Sequence, residues 1–316
     1  MRLLKILVTG GAGFIGSNLV DRLISMGENV TIIDNFDNYY SSKIKRENVQ
    51  HNVKKKNFEL IKDDIRNSKV LTDALKDVEI VFHLAARPGV RPSIKNPKLY
   101  HEVNVSGTLN FLNACLNSSV KKIIYSSSSS VYGEPEYLPI DENHPTQPIS
   151  PYGMTKLAGE EYCRAFSKIY GLNIISLRYF TVFGPRQRPD MAIAKFTKLL
   201  LKGKPPEVYG DGEQTRDFTY IDNVVDANIL AMKSKIKWNV FNIGGGERIS
   251  VNQLLKMLNI ACKTDIKSIH TSRKEGDISH TWANIEKARK ILSYEPRIDI
   301  KNGIKKHVEW IKMNMK

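Results

Sequence analysis

Cysteine is scarce in this chain: three among 316 residues, at Cys115, Cys163 and Cys262, far apart in sequence. No C-x-x-C pair or His–Cys cluster occurs, so no metal site is indicated. Isolated thiols in odd number read as a reduced, cytoplasmic protein. Long apolar runs are lacking too. None approaches the roughly 20 residues of a membrane span, and Met1-Arg2-Leu3-Leu4-Lys5 leads straight into an apolar strand, so no signal peptide is expected. Acidic residues are in deficit, 33 Asp and Glu against 48 Lys and Arg, for a formal net charge of +15. The lysines are dispersed, as at Lys54-Lys55-Lys56 and at Lys233, Lys235 and Lys237, without an aromatic RNA-binding motif. The excess therefore reads as a solvated surface rather than a nucleic-acid footprint, and it suits attraction of a multiply charged nucleotide. No G-x-S-x-G elbow is present, which argues against an acylated serine nucleophile.

What is present begins at the N-terminus. Lys5-Ile6-Leu7-Val8-Thr9 is an apolar run, Gly10, Gly13 and Gly16 punctuate the next seven residues, and Ser17–Leu23 is amphipathic. Strand, glycine turn and helix in that order aim backbone N–H groups and a helix N-terminus at a pyrophosphate. A mononucleotide P-loop needs Lys after its last glycine, and Ser17 stands there. The next apolar run, Asn29–Ile33, ends in Asp34, where a carboxylate can accept hydrogen bonds from an adenosine ribose. Asn35 and Phe36 follow with no Arg for a 2′-phosphate, so NAD is expected rather than NADP.

Further apolar runs at Phe58–Ile61, Glu79–His83, Lys121–Tyr125 and Leu172–Leu177 alternate with helical patterns at Ser68–Lys76, Lys98–Asn117 and Tyr152–Tyr170. This alternation predicts an α/β protein, a Rossmann-type doubly wound parallel sheet. After Gly184 the pattern becomes mixed, predicting a smaller α/β C-terminal lobe for substrate. The expected division is residues 1–180 and 181–316, with the two parts interwoven rather than joined by a linker.

Ile123-Ile124-Tyr125 runs into Ser126–Ser130, and Tyr152-Gly153-Met154-Thr155-Lys156 follows some twenty residues later. Tyr152 and Lys156, four apart, project from one face of a helix. A Lys ammonium near a phenol favours the phenolate, bringing a pKa of about 10 toward working pH. Ser128 can hold the same substrate oxygen while NAD receives a hydride from the carbon that bears it.

These motifs, with Asp63-Asp64-Ile65, His83-Leu84-Ala85-Ala86, Asn104 and Arg178-Tyr179-Phe180, resemble the extended short-chain dehydrogenase/reductase family of nucleotide-sugar enzymes over essentially the whole chain. The resemblance implies Ser128, Tyr152 and Lys156 as the catalytic triad. It implies NAD contacts from Phe14, Ile15, Asp34, Asn35, Asp64, Ile65, Leu84, Ala85, Ala86, Asn104 and Phe180 besides the glycines. Arg216, Lys274 (with Arg273 beside it) and Asp277 resemble contacts to a UDP group. Sugar 4,6-dehydratases resemble Thr-Asp-Glu at the position of Ser128-Ser129-Ser130, and UDP-glucuronate decarboxylases Thr-Ser-Glu. Without those carboxyls, 4-epimerisation is the expected reaction. The segments Ala86–Ser93, with Arg91, and Thr181–Ala192, with Arg188, resemble UDP-glucuronate 4-epimerases. Arg188, or Arg186 two residues before it, would then pair with a hexuronate carboxylate, with hydroxyl donors from Thr181 and Ser129, and Ser130 would be a further substrate contact. UDP-glucose or UDP-N-acetylglucosamine as substrate is the alternative, and a catalytically silent NAD-binding regulator the alternative of another class. The helices near 98–117 and 151–170 resemble a family dimer interface. Leu109, Leu112 and Cys115 could serve that interface or the core, and a homodimer is expected, with no nucleic-acid or membrane partner.

Overall fold

The computed structural model describes residues 3–272 and 278–315. Its strands are β1 Lys5–Thr9, β2 Asn29–Ile33, β3 Phe58–Ile61, β4 Ile80–His83, β5 Lys122–Ser128, β6 Ile174–Tyr179, β7 Thr181–Phe183, β8 Glu207–Tyr209, β9 Thr215–Tyr220, β10 Trp238–Ile243, β11 Arg248–Ser250 and β12 Ile269–Thr271. Seven form one sheet in the order β10-β6-β5-β4-β1-β2-β3, with parallel pairing from β5 through to β3. From β1 the chain winds outward through β2 and β3, then returns to place β4 on the other side. The reversal leaves a crevice at the C-terminal ends of β1 and β4, where doubly wound folds bind ligands. Being covered on both faces, β4 and β5 are buried along their entire length.

The chain divides into two compact units. The first comprises Met1–Gly133, Thr146–Arg178 and Val225–Phe241; the second comprises Glu134–Pro145, Tyr179–Val224 and Asn242–Lys316. The second unit thus takes a segment from well before residue 181. It holds a three-stranded sheet, β11-β9-β7, and a β12-β8 pair.

The expected strands are present, β5 running three residues beyond Tyr125 to carry Ser126–Ser128. The helix expected at Lys98–Asn117 is broken into Pro97–Tyr100, a π-helical stretch His101–Ser106, and Gly107–Leu116. Leu112 and Cys115 lie in the core with Phe111, Leu7, Val81 and Ile123, and Leu109 packs against it from a half-buried position. These residues therefore serve the protomer's own core. Among the described residues no helix is long and apolar enough to cross a membrane, and no cluster of His, Cys, Asp and Glu could hold a metal.

Candidate active site

Glycine is sterically required where the chain leaves β1. Gly10 has φ +72°, and a Cβ there would stand 2.9 Å from the backbone of Ala85. A Cβ on Gly16 would collide with the Gly10 carbonyl. The turn therefore closes on itself and on the exit of β4, and it opens the helix Phe14–Ser25, whose N-cap Gly13 provides no side-chain cap. Such a bare N-terminus is the cradle a pyrophosphate needs. Phe14 is buried and Ile15 half-buried at its start.

Asp34, buried at the end of β2, accepts from Ala12 N–H at 3.0 Å through one oxygen and from Phe36 N–H at 2.8 Å through the other. It thus braces the glycine turn, while each oxygen keeps a lone pair for a ribose hydroxyl. Burial raises its pKa, with Lys45 opposing. Asn35 donates to Asp64 at 2.8 Å, and Arg66 grips the same carboxylate with Nε and Nη2, both at 2.8 Å. The Arg66 hydrogen bonds, against burial, hold the Asp64 pKa down at about 2. The Ile65 side chain belongs to the core, so its outward-facing chemistry is that of its backbone.

At the end of β4, Thr9 Oγ1 accepts from Ala85 N–H at 3.2 Å and meets His83 Nδ1 at 2.8 Å. His83 Nε2 reaches Thr108 Oγ1 at 3.0 Å, and complete burial pushes its pKa down to about 3. This is a neutral spacer between β1, β4 and a helix. Leu84, Ala85 and Ala86 follow it, half-buried. Asn104, in the π-helical stretch, accepts from Arg87 N–H at 2.6 Å and donates to Arg87 O and Thr155 Oγ1, both at 3.0 Å. Both amide hydrogens are thereby committed to protein, so Asn104 acts by holding the loop after β4. Sequence spacing carried no sign of that clamp.

The helix Pro151–Tyr170, which carries Tyr152 and Lys156, begins at Ser150, whose Oγ accepts from Gly153 N–H at 3.1 Å, with Pro151 in the first turn. Tyr152 N–H donates to Ser93 Oγ at 3.0 Å, and its ring meets Tyr100 edge-on at 6.4 Å. A Cβ on Gly153 would strike the Ser130 carbonyl, and one on Gly159 would strike the Tyr125 hydroxyl. Two glycines thus let this helix approach β5 and the turn Ser129–Val131 closely, bringing Tyr152 and Lys156 to the end of Ser128's strand. Lys156 Nζ donates to Ser126 O at 2.7 Å and lies 5.3 Å over the Tyr125 ring. Burial lowers its pKa to about 8. Ser128 Oγ accepts from Ser130 N–H at 3.2 Å, leaving its own proton to donate. One turn past Lys156, Glu160 pairs with Arg178, which also donates to Tyr132 OH at 2.8 Å. That buried network was not anticipated.

In the second unit, Phe180 is buried and its N–H donates to Ile243 O at 3.0 Å; Thr181 opens β7. Arg188 forms a two-point pair with Asp190, Nε and Nη2 each at 3.0 Å. Arg216 donates to three main-chain oxygens, those of Thr215 at 2.8 Å, Ile278 at 2.6 Å and Ser279 at 3.2 Å. Beside it, fully buried Asp217 accepts from Gly245 and Ala283 N–H, and burial pushes its pKa up to about 6. Arg91, in the first unit, is exposed on the short helix Val90–Lys95. Lys274, Asp277 and Arg273 lie outside the described residues.

The family profile described as GDP-mannose 4,6 dehydratase matches residues 7–307. A putative UDP-glucose 4-epimerase from Methanocaldococcus jannaschii is 41% identical, covering 98% of this chain and 99% of the relative. The Bacillus cereus UDP-glucuronic acid 4-epimerase, solved with UDP-glucuronic acid and NAD, gives a TM-score of 0.94 at 40% identity over 98% of this chain and 100% of that one. The UDP-N-acetylglucosamine 4-epimerase of Methanobrevibacter ruminantium M1, solved with UDP-N-acetylmuramic acid, gives 0.93 at 38% identity over 100% of both chains. Three sugars occur in those names on one architecture. A profile match spanning both units, on the glycine turn and Ser–Tyr–Lys grouping described above, settles the family: the chain belongs to the GDP-mannose 4,6-dehydratase family, within the extended short-chain dehydrogenases/reductases.

Proposed function

We propose that this protein is an NAD-dependent 4-epimerase of a UDP-hexuronic acid, interconverting UDP-glucuronate and UDP-galacturonate. The glycine cradle, in which an added Cβ would take up the room of the turn, and braced Asp34 fit NAD. NAD held there would supply the hydride acceptor and donor for C4 of the sugar. The protein's own work is proton transfer and positioning. Tyr152 removes the C4 hydroxyl proton and later restores it, with Ser128 donating a hydrogen bond to the same oxygen. The Lys156 ammonium, anchored on Ser126 O, favours the phenolate. With Ser129 and Ser130 where the 4,6-dehydratases carry acids, elimination lacks its donors, and the 4-keto sugar turns over in the site instead.

The observation that carries the hexuronate reading is Arg188. It follows the Thr181 strand by a few residues, is only 19% exposed, and already presents its guanidinium in the planar geometry that grips a carboxylate. Thr181 and Ser129 would add hydroxyl donors, while Arg216, Lys274 and Asp277 are assigned to the UDP portion, and Ser130 and Arg91 are further substrate contacts. The test is a product assay on UDP-glucuronate, UDP-glucose and UDP-N-acetylglucosamine with NAD content followed. UDP-galacturonate without net NADH is expected; UDP-xylose or a 4-keto-6-deoxy sugar overturns the reaction assigned.

We also infer a homodimer through the catalytic helix. Met154, Tyr162 and Ile169 are 54%, 37% and 69% exposed on one stripe of it, an apolar face that a second copy would cover.

A further inference from the structure

Two loops leave the C-terminal edge of the parallel sheet on either side of β1, and they are tied together. Asp37 stands four residues beyond the end of β2, and Arg87 four beyond the end of β4. Arg87 Nη1 donates to both Asp37 oxygens, at 2.8 and 2.7 Å, with the two side chains 18% and 33% exposed. The same guanidinium lies 5.7 Å over the ring of Tyr39. The Tyr39 hydroxyl sits so close to Gly89 that a Cβ there would overlap it. Both ends are anchored: Asn104 holds the Arg87 backbone, and Lys45 donates to Asp37 O at 2.9 Å.

β2 and β4 are not neighbours. β1 runs between them, so their ends are separated by two strand spacings, about 9.6 Å. What fills that gap at the sheet edge is the exit of β1, the Gly10–Gly16 turn. An ion pair joining the flanking loops therefore spans the turn.

We propose that Asp37 and Arg87, backed by Tyr39 and Gly89, form a strap across the dinucleotide in the glycine turn, and that this strap must open for NAD to leave. The inference rests on the NAD reading of that turn. A reaction without net redox change never has to exchange its cofactor, so a closed strap costs the catalytic cycle nothing and keeps the enzyme loaded. A dehydrogenase releasing reduced cofactor every turnover would be slowed by the same device.

The test measures NAD release, not turnover. Protein freed of excess nucleotide is diluted into NAD-free buffer, and free NAD is followed by enzymatic cycling. The variants are Asp37→Asn, isosteric and on a partly exposed side chain, and Arg87→Met. Each is expected to release NAD roughly 10- to 100-fold faster, the range for losing a charged hydrogen-bond partner. Release from the parent should accelerate with salt more steeply than from either variant, because the partly exposed pair is screened. A parent that holds NAD while both variants release it at the parent's rate overturns the strap alone. A parent that carries no NAD and takes none up overturns the site reading and the strap together.

Discussion

Arg188 and Arg216 are both wrapped in oxygen, but of different kinds, and on the proposed reading that difference suits them to different work. Arg188 faces a carboxylate, so on the proposed reading a hexuronate would meet a guanidinium already arranged for that group and would compete with Asp190 for it. Arg216 is held in place by three neutral main-chain oxygens, a fixed guanidinium of the kind that suits a diphosphate. Arg188→Ala should therefore lower kcat/KM for UDP-glucuronate by about 1.5–3 kcal/mol in transition-state stabilisation, with far less effect on UDP-glucose. Arg216→Ala should weaken both substrates alike. Equal losses on the two substrates for Arg188→Ala would remove the carboxylate role. Lys156 allows a second prediction at this scale. Burial lowers its pKa from 10.5 to about 8, so the unfolded chain binds more protons in that interval and stability rises with pH across it. Lys156→Met should abolish that rise in urea melts at pH 8 and pH 10. It should also move the ascending limb of the pH–rate profile upward, toward the ordinary phenol value of about 10. The placement of Ser128 at a strand end and of Tyr152 and Lys156 on one helix was legible because it depends on spacing along those two elements. The clamps on Asn104, Arg87 and Arg188 were not, because their partners lie in loops whose contacts leave no periodicity.

Among the elements, the helix Pro151–Tyr170 is positioned by glycine as much as by any side chain. Its extent was read as Tyr152–Tyr170, within a residue of the start observed, but the reason for Gly153 becomes visible only against the Ser130 carbonyl. Gly153→Ala should push Tyr152 away from Ser128. A displacement on the order of 1 Å costs up to about 100-fold in rate, whereas stability should fall by only about 1–3 kcal/mol, as for other overpacked sites. Chemical denaturation and steady-state kinetics on the same sample separate the two effects. A rate loss no larger than the stability change explains would show that the helix tolerates the shift. Glu160 tests the same helix from beneath: Glu160→Gln leaves Arg178 buried without its counter-charge, and about 3–5 kcal/mol of stability should be lost in urea unfolding. The inner strands β4 and β5 were readable because both faces are buried and their cores are apolar, whereas β10, at the edge of the same sheet, was not read. The π-helical stretch His101–Ser106 was not, since one inserted residue hardly alters an apolar pattern over a single turn.

For the whole molecule, the separation into two units was visible only coarsely from the change of pattern after Gly184. The excursion Glu134–Pro145 is tied into the second unit by long-range bonds, Ile140 N–H to Trp282 O and Asn284 N–H to Ile140 O, both 2.7 Å. Pairings at such distances along the chain leave no trace in local composition. The surface is a different matter, because an exposed stripe has a period. Residues 154, 162 and 169 fall within about 80° of one another at 100° per residue, each large and apolar, on a helix whose opposite face packs on β5. Burying such a side chain is worth about 1.5–3 kcal/mol, and a twofold interface counts each one twice. A charge placed there would be buried without a partner and would face its own copy across the axis, a cost of several kcal/mol. Tyr162→Glu with Ile169→Glu should therefore convert a dimer into a monomer in light scattering at assay concentration. The far-ultraviolet dichroism should stay unchanged, because neither side chain belongs to the protomer's core. A parent protein that already runs as a monomer would remove the interface from this helix, and a double variant that stays dimeric would place it on another face.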